Sequence, residues 1–119
     1  MYKVKVVSYF SAAHNLRGYR GKCEKLHGHN WKVEVVVQSE RLDKNGLLID
    51  FRYLKKRLEA VLAKLDHTCI NRNVYFRRHN PTSENIAHYI YQQLSLLVKG
   101  VASVTVWESE DSAATFCQE

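Results

Sequence analysis

The segment Cys23-Glu24-Lys25-Leu26-His27-Gly28-His29-Asn30 gathers a thiol, a carboxylate and two imidazoles into a short stretch. His27 and His29 are two residues apart where an alternating pattern begins. On a strand that spacing puts both imidazoles on one face, where they can share a metal ion. Gly28 between them leaves room for another chain or a ligand to come close. His14 closes the run Ser11-Ala12-Ala13-His14. If the two segments pair as a hairpin, His14 lies beside the other two. Three imidazoles without a fixed fourth ligand describe a catalytic zinc site with an open position. Cys23 as a fourth ligand would instead close the site into a structural one. The residue types alone allow either.

Three further motifs carry groups that could act. Leu65-Asp66-His67-Thr68 sets an acid beside an imidazole at a helix end, which reads as a cap with a solvated side chain or as a functional pair. Pro81-Thr82-Ser83-Glu84-Asn85 reads as a helix start. In Trp107-Glu108-Ser109, Glu108 shares strand parity with Val104 and Val106. Its carboxylate is therefore expected on the apolar side, where it needs a partner.

The elements that must position these groups follow from size and pattern. A chain of 119 residues, 45% apolar, fits one domain with a real core, expected to span residues 1–119. No apolar run approaches the roughly 18 residues of a membrane span. Met1 to Lys5 alternates polar and apolar residues, unlike a signal peptide. The protein is therefore expected to be soluble and cytoplasmic, with no membrane partner. Cys23, Cys69 and Cys117 are an odd set without C-x-x-C pairing, which does not read as a disulfide framework. The net charge of +6 is dispersed and does not interleave with aromatics. A phosphorylated metabolite explains it as well as a polynucleotide would, and no nucleic-acid module is recognisable.

Val4, Val6 and Phe10 alternate, predicting a first strand over Tyr2 to Phe10. Residues 15–26 read as a loop rich in Gly, Arg and Lys. Asn30 to Ser39 alternates again, with Trp31, Val33, Val35 and Val37 on one face. Asp43-Lys44-Asn45-Gly46 is a turn. Asp50 then caps a helix whose stripe is Leu54, Leu58, Val61, Leu62 and Leu65. Residues 66–80 read mostly as loop. A second helix opens at Pro81-Thr82-Ser83, carries Ile86, Ile90, Leu94 and Leu97, and ends before Gly100. Val101 to Ser109 and Ser112 to Cys117 are the last strands. The order ββααββ predicts an α+β fold, a four-stranded antiparallel sheet with two helices on one face. Its open edges are a liability, so they are expected to pair between subunits.

Taken in order, F-S-A-A-H, C-x-x-x-H-G-H-N, G-L-L-I-D-F, L-D-H, N-P-T-S-E-N and W-E-S resemble the 6-pyruvoyl-tetrahydropterin synthase / 6-carboxytetrahydropterin synthase family from residue 4 to near the C-terminus. No single motif is distinctive; the six in sequence are. The resemblance implies the tunnelling fold, in which three subunits join their sheets into a barrel and two trimers stack as a homohexamer with sites between subunits. It implies zinc on His14, His27 and His29, and Cys23 as the base that takes a proton from the substrate side chain. Asp66 and His67 would complete its relay from a neighbouring subunit. Glu108 would hold the guanidine-like edge of a pterin, with Thr82 nearby. Lys22, Lys25, His67 and the metal would favour the Cys23 thiolate. Arg17, Arg20 or Lys25 could meet a triphosphate.

The three residues between Cys23 and His27 resemble the queuosine-pathway branch. That branch converts 7,8-dihydroneopterin triphosphate to 6-carboxy-5,6,7,8-tetrahydropterin with release of acetaldehyde and triphosphate. Glu24 departs from that pattern. A folate-linked branch uses a Glu near this place to make 6-hydroxymethyl-7,8-dihydropterin, so Glu24 is either a second catalytic residue or a solvated loop residue. The pyruvoyl-type reaction is a further alternative on the same site. A zinc-stabilised polyanion-binding module, with Cys23 as fourth ligand, is the reading outside enzymes.

Overall fold

The computed structural model describes residues 1–118. Alternating Val and aromatic residues build its two longest strands, β1 (Tyr2–His14) and β2 (His27–Ser39). They pair antiparallel without interruption, from Tyr2 opposite Ser39 to His14 opposite His27. Val6, Phe10 and Ala12 on β1 and Trp31, Val33, Val35 and Val37 on β2 point to one buried face. A strand's period of two makes this a single choice, because a one-residue slip would expose the whole apolar set. β4 (Val101–Trp107) pairs with the other side of β2 through a bulge at Val36/Val37, and β5 (Ala113–Cys117) pairs with β4.

Two helices cover that face. α1 (Phe51–Leu62) is capped by Asp50, whose Oδ1 accepts the Arg52 N–H at 2.8 Å. Its stripe of Leu54, Leu58, Val61 and Leu62 is buried over β1, as the spacing predicts. α3 (Ser83–Ser95) is capped by Thr82, whose hydroxyl accepts the Asn85 N–H at 3.1 Å. It buries Ile86, Ala87, Tyr89, Ile90 and Leu94 against β4 and β5.

The α+β architecture stands, with corrections to its parts. The sheet has five strands in the order β3-β1-β2-β4-β5, not four. The added β3 (Thr68–Cys69) runs parallel to β1, opposite Ala12 and Ala13, so the sheet is mixed. Two residues are too few to show periodicity, so this strand was invisible as a pattern. The segment expected to be mostly loop also folds into a 3₁₀ turn (Ile70–Arg72) and a short helix α2 (Val74–Arg78), which bury Ile70 and Phe76. α3 stops at Ser95, earlier than its stripe suggested, and Leu97 is exposed. Gly100 serves the turn into β4. It sits at φ +82°, and a Cβ there would lie 2.9 Å from the Gln38 carbonyl oxygen. Among the described residues no helix is long and apolar enough to cross a membrane.

Candidate metal and substrate site

The core-facing parity of β1 and β2 continues beyond the core. His14 follows Ala12 on the buried face, and His27 and His29 precede Trp31 on the same face. Because His14 is paired with His27 and Ala12 with His29, the register itself brings the three imidazoles together. Their ring centroids lie 4.7 to 5.3 Å apart. Glu108, one residue past β4 and on the same parity, closes the group. Its Oε1 is 2.9 Å from His29 Nε2, 3.4 Å from His14 Nε2 and 3.9 Å from His27 Nε2.

Backbone carbonyls fix which nitrogens face the centre. His14 Nδ1 donates to the Pro81 carbonyl at 2.7 Å, and His27 Nδ1 donates to the Lys25 carbonyl at 2.8 Å. Each Nε2 is thereby left with its lone pair, the second-partner arrangement typical of metal-binding imidazoles. His14 Nε2 and His29 Nε2 are buried and have no hydrogen-bond partner. The Glu108 oxygen is close to His29 but makes no aligned hydrogen bond with it. Orphaned buried nitrogens are costly unless something binds them. Burial lowers the pKa of His29. The neighbouring His14 and His27 add to this, against the opposing pull of Glu108, so the neutral ligand form is favoured. One ligand atom from each of the four residues falls within 4.8 Å of all the others. Zinc bonds of about 2.0–2.1 Å set tetrahedral ligand atoms roughly 3.3 Å apart, and the carboxylate-to-imidazole distances bracket that value. These residues fit a divalent metal ion.

The loop after His14 is held by side-chain amides that imitate a strand neighbour. Asn71 accepts the Asn15 N–H at 3.0 Å and donates to the Asn15 carbonyl at 2.9 Å. Asn80 does the same to Arg17, at 2.8 and 3.1 Å. The Arg17 guanidinium is occupied as well, donating to the Phe76 and His79 carbonyls at 2.6 and 3.1 Å. Sequence reasoning missed Asn71 and Asn80. Asn71 is one of three Asn residues in a segment that looked like loop, and Asn80 opens the N-P-T-S-E-N motif without a bracing role being read from it.

The other candidates fall into separate places. Cys23 is an exposed free thiol on the loop before His27. Glu24 is not merely solvated: its Oε1 accepts the Leu16 N–H at 3.2 Å and lies 3.8 Å from His27 Nδ1. Asp66 and His67 stand at the β1 edge. Asp66 Oδ1 accepts the Ser11 N–H at 2.9 Å, the His67 N–H donates to the Ser11 carbonyl at 2.6 Å, and Asp66 Oδ2 holds His67 Nδ1 at 3.0 Å. The Ser11 N–H lowers the Asp66 pKa, and His67 lowers it further. His67 adopts φ +58°, and its side chain is 82% exposed. Among the described residues no hydrogen bond or ion pair joins His67 to Cys23, and neither belongs to the three-imidazole group.

A cavity of about 460 Å³ opens beside the metal group, lined by His14, Thr82, Ser83 and Glu108 and by the loop residues Arg17 to Arg20. A second cavity of about 450 Å³ lies on the opposite sheet face, against Tyr9, Lys32 and Trp107, and contains none of the imidazoles. The family model for 6-pyruvoyl tetrahydropterin synthase matches residues 3–119. The chain belongs to this family. It is 44% identical over 105 residues to a provisionally named 6-carboxy-5,6,7,8-tetrahydropterin synthase of Archaeoglobus fulgidus, covering 88% of this chain and 86% of that one. The 6-carboxy-5,6,7,8-tetrahydropterin synthase of Synechocystis is 39% identical over 113 residues, covering 90% and 86%. The dihydroneopterin monophosphate aldolase of Pyrococcus furiosus is 35% identical over 105 residues, covering 86% and 85%. The solved 6-pyruvoyl tetrahydropterin synthase of Caenorhabditis elegans superposes with a TM-score of 0.87 at 25% identity, over 99% of this chain and 96% of that one. The fold is the tunnelling fold, and the protein is a lyase of the tetrahydropterin-synthase kind.

Proposed function

We propose that the protein is a zinc-dependent lyase. In this reading it converts 7,8-dihydroneopterin triphosphate and water to 6-carboxy-5,6,7,8-tetrahydropterin, acetaldehyde and triphosphate, as a step towards queuosine-type 7-deazapurines. It works as a single domain, residues 1–119, in a cytoplasmic homohexamer. The observation that carries the reading is the group of three imidazoles with two orphaned Nε2 atoms, opening on a cavity beside Glu108. The names of the Archaeoglobus and Synechocystis relatives favour the carboxy product.

His14, His27 and His29 would hold the metal through Nε2. The chemistry a bound zinc supplies there is polarisation of a side-chain hydroxyl or carbonyl of the substrate. Glu108 binds the guanidine-like edge of the pterin, a two-point charge-assisted contact. Thr82 shapes the cavity wall while capping α3. Cys23, exposed on the loop before His27, takes the side-chain proton, and the Asp66–His67 pair of a neighbouring subunit relays it. Asp66 holds the His67 ring by Nδ1, which leaves Nε2 to face the thiol.

A second reading has its own support. The Glu24 carboxylate lies beside His27, and the Pyrococcus relative is an aldolase. Glu24 would then act as base for side-chain cleavage to 6-hydroxymethyl-7,8-dihydropterin. The deciding test is product identification from 7,8-dihydroneopterin triphosphate with zinc-loaded protein and its Cys23→Ala variant. Acetaldehyde and the carboxypterin are expected from the parent and absent from the variant. Hydroxymethyl-dihydropterin made by both would replace the first reading with the second. A 6-pyruvoyl product without acetaldehyde would refute both.

A further inference from the structure

Arg20 is an unusual residue for its position. The Lys22 N–H donates to the Tyr19 carbonyl at 3.0 Å, and the two residues between them, Arg20 and Gly21, have φ of +53° and +78°. Positive φ at both central residues is the requirement of a type I′ turn, which favours Gly, Asn or Asp at the Arg20 position. A long side chain held at positive φ is strained, and such strain persists where the side chain is used.

The side chain's surroundings say what for. Arg20 lines the cavity beside the metal group, together with His14, Thr82, Ser83 and Glu108. No acidic partner lies within ion-pair distance of it among the described residues; its guanidinium sits over the ring of its neighbour Tyr19, 5.5 Å from the centroid. The other basic residues of the loop are used or placed elsewhere. Arg17 spends its guanidinium on the Phe76 and His79 carbonyls. Lys22 and Lys25 are absent from the cavity wall. The wall also holds the carboxylates Glu84 and Glu108, so an anion in this cavity must sit on the loop side, against Arg20.

We infer that Arg20 is the specificity residue for the phosphorylated end of the substrate, and that Arg17 is a brace for the loop that presents it. The inference rests on the proposed use of a phosphorylated pterin. Arg20 binds the terminal phosphates by the forked geometry that suits guanidinium to phosphate. The reacting carbons stay at the imidazoles.

The test uses the whole assembled protein and two readouts. The first is calorimetric binding of inorganic tripolyphosphate, which needs no turnover. The second is steady-state kinetics with 7,8-dihydroneopterin triphosphate, with unphosphorylated 7,8-dihydroneopterin, which lacks the leaving group, as a competitive inhibitor. Arg20→Gly suits the positive φ, so it is expected to keep or raise the unfolding midpoint. It is also expected to weaken tripolyphosphate binding about 10- to 100-fold and to raise KM for the triphosphate by a similar factor. The inhibition constant of unphosphorylated 7,8-dihydroneopterin, which keeps the pterin ring but not the phosphates, should not change. Arg20→Lys should recover part of the loss. Arg17→Met should lower the unfolding midpoint instead. Unchanged tripolyphosphate binding in Arg20→Gly, or no measurable binding by the parent, would overturn the inference. A parent that binds tripolyphosphate through Arg20 yet turns over no pterin would overturn the proposed function and leave the anion site standing.

Discussion

At the scale of single residues, the site depends on which atom of each side chain is already committed. His14 and His27 spend Nδ1 on carbonyls, so their Nε2 atoms are available to a metal. Glu108 has no comparable anchor, since Ser83 Oγ approaches its Oε2 only to 3.5 Å. A carboxylate held this loosely is free to leave the imidazoles for a substrate. Glu108→Gln is therefore expected to keep one metal ion per subunit by elemental analysis while losing about 100-fold in kcat/KM, the scale of about 3 kcal/mol for charge-assisted contacts. Loss of the metal along with activity would make Glu108 a ligand and not a substrate anchor. His14→Ala is expected to lose the metal outright, because two imidazoles do not hold zinc tightly. Asp66 offers a check through pH. Its folded pKa lies below the unfolded value, so its stabilising effect is present above the unfolded pKa and fades as pH falls through the folded one. Acid unfolding profiles of the parent and Asp66→Asn should therefore differ at neutral pH and converge in strong acid. Profiles that stay parallel would show that the Ser11 and His67 contacts do not stabilise the carboxylate.

At the scale of elements, what the sequence disclosed depended on whether a group's place follows from periodicity. Val33, Val35 and Val37 alternate, so β2 was legible, and with it the shared face of His27 and His29. The Leu54, Leu58 and Val61 stripe and the Asp50 cap made α1 legible in the same way. Strand parity also puts Glu108 on the apolar side, where the structure has it among the imidazoles. Its partners there were not foreseen, because parity gives a face and not a distance. β3 and α2 were missed because short elements are set by tertiary contacts rather than by pattern. The bracing of the loop was equally hidden: Asn71 and Asn80 act on backbone 56 and 63 residues away in sequence. This bracing is testable. Asn80→Ala removes two hydrogen bonds to Arg17, at a cost of about 1–3 kcal/mol. It is expected to lower the unfolding midpoint and to speed amide exchange across residues 15–26 more than in α1. Equal acceleration everywhere would mean that Asn80 supports global stability and not the loop.

At the scale of the molecule, one chain does not complete its own proposed machinery. Cys23 lies on the loop that precedes β2, while Asp66 and His67 stand at the β1 edge, with His67 turned to solvent. Among the described residues that same edge is strand-paired only at Ala12 and Ala13, by β3, with Asp66 and His67 taking the Ser11 backbone groups, and β5 has no strand on its outer side. Long unpaired edges invite strand addition, and identical subunits can satisfy them in a closed ring. In the proposed ring the β1 edge of one copy joins the β5 edge of the next, and the proposed relay needs His67 to reach a neighbour's Cys23. The proposed relay between subunits and the proposed hexamer therefore stand or fall together. If Cys23 and His67 of one active site come from different subunits, Cys23→Ala and His67→Ala proteins are each inactive alone but complementary. Unfolded together and refolded as mixed assemblies, they should regain about a quarter of parental activity, since one interface in roughly four then pairs two intact partners in a symmetric ring. Refolding each variant separately, then mixing without exchange, should give none. Mixed assemblies of parental size that stay inactive would place both groups in one subunit and remove the relay from the subunit boundary.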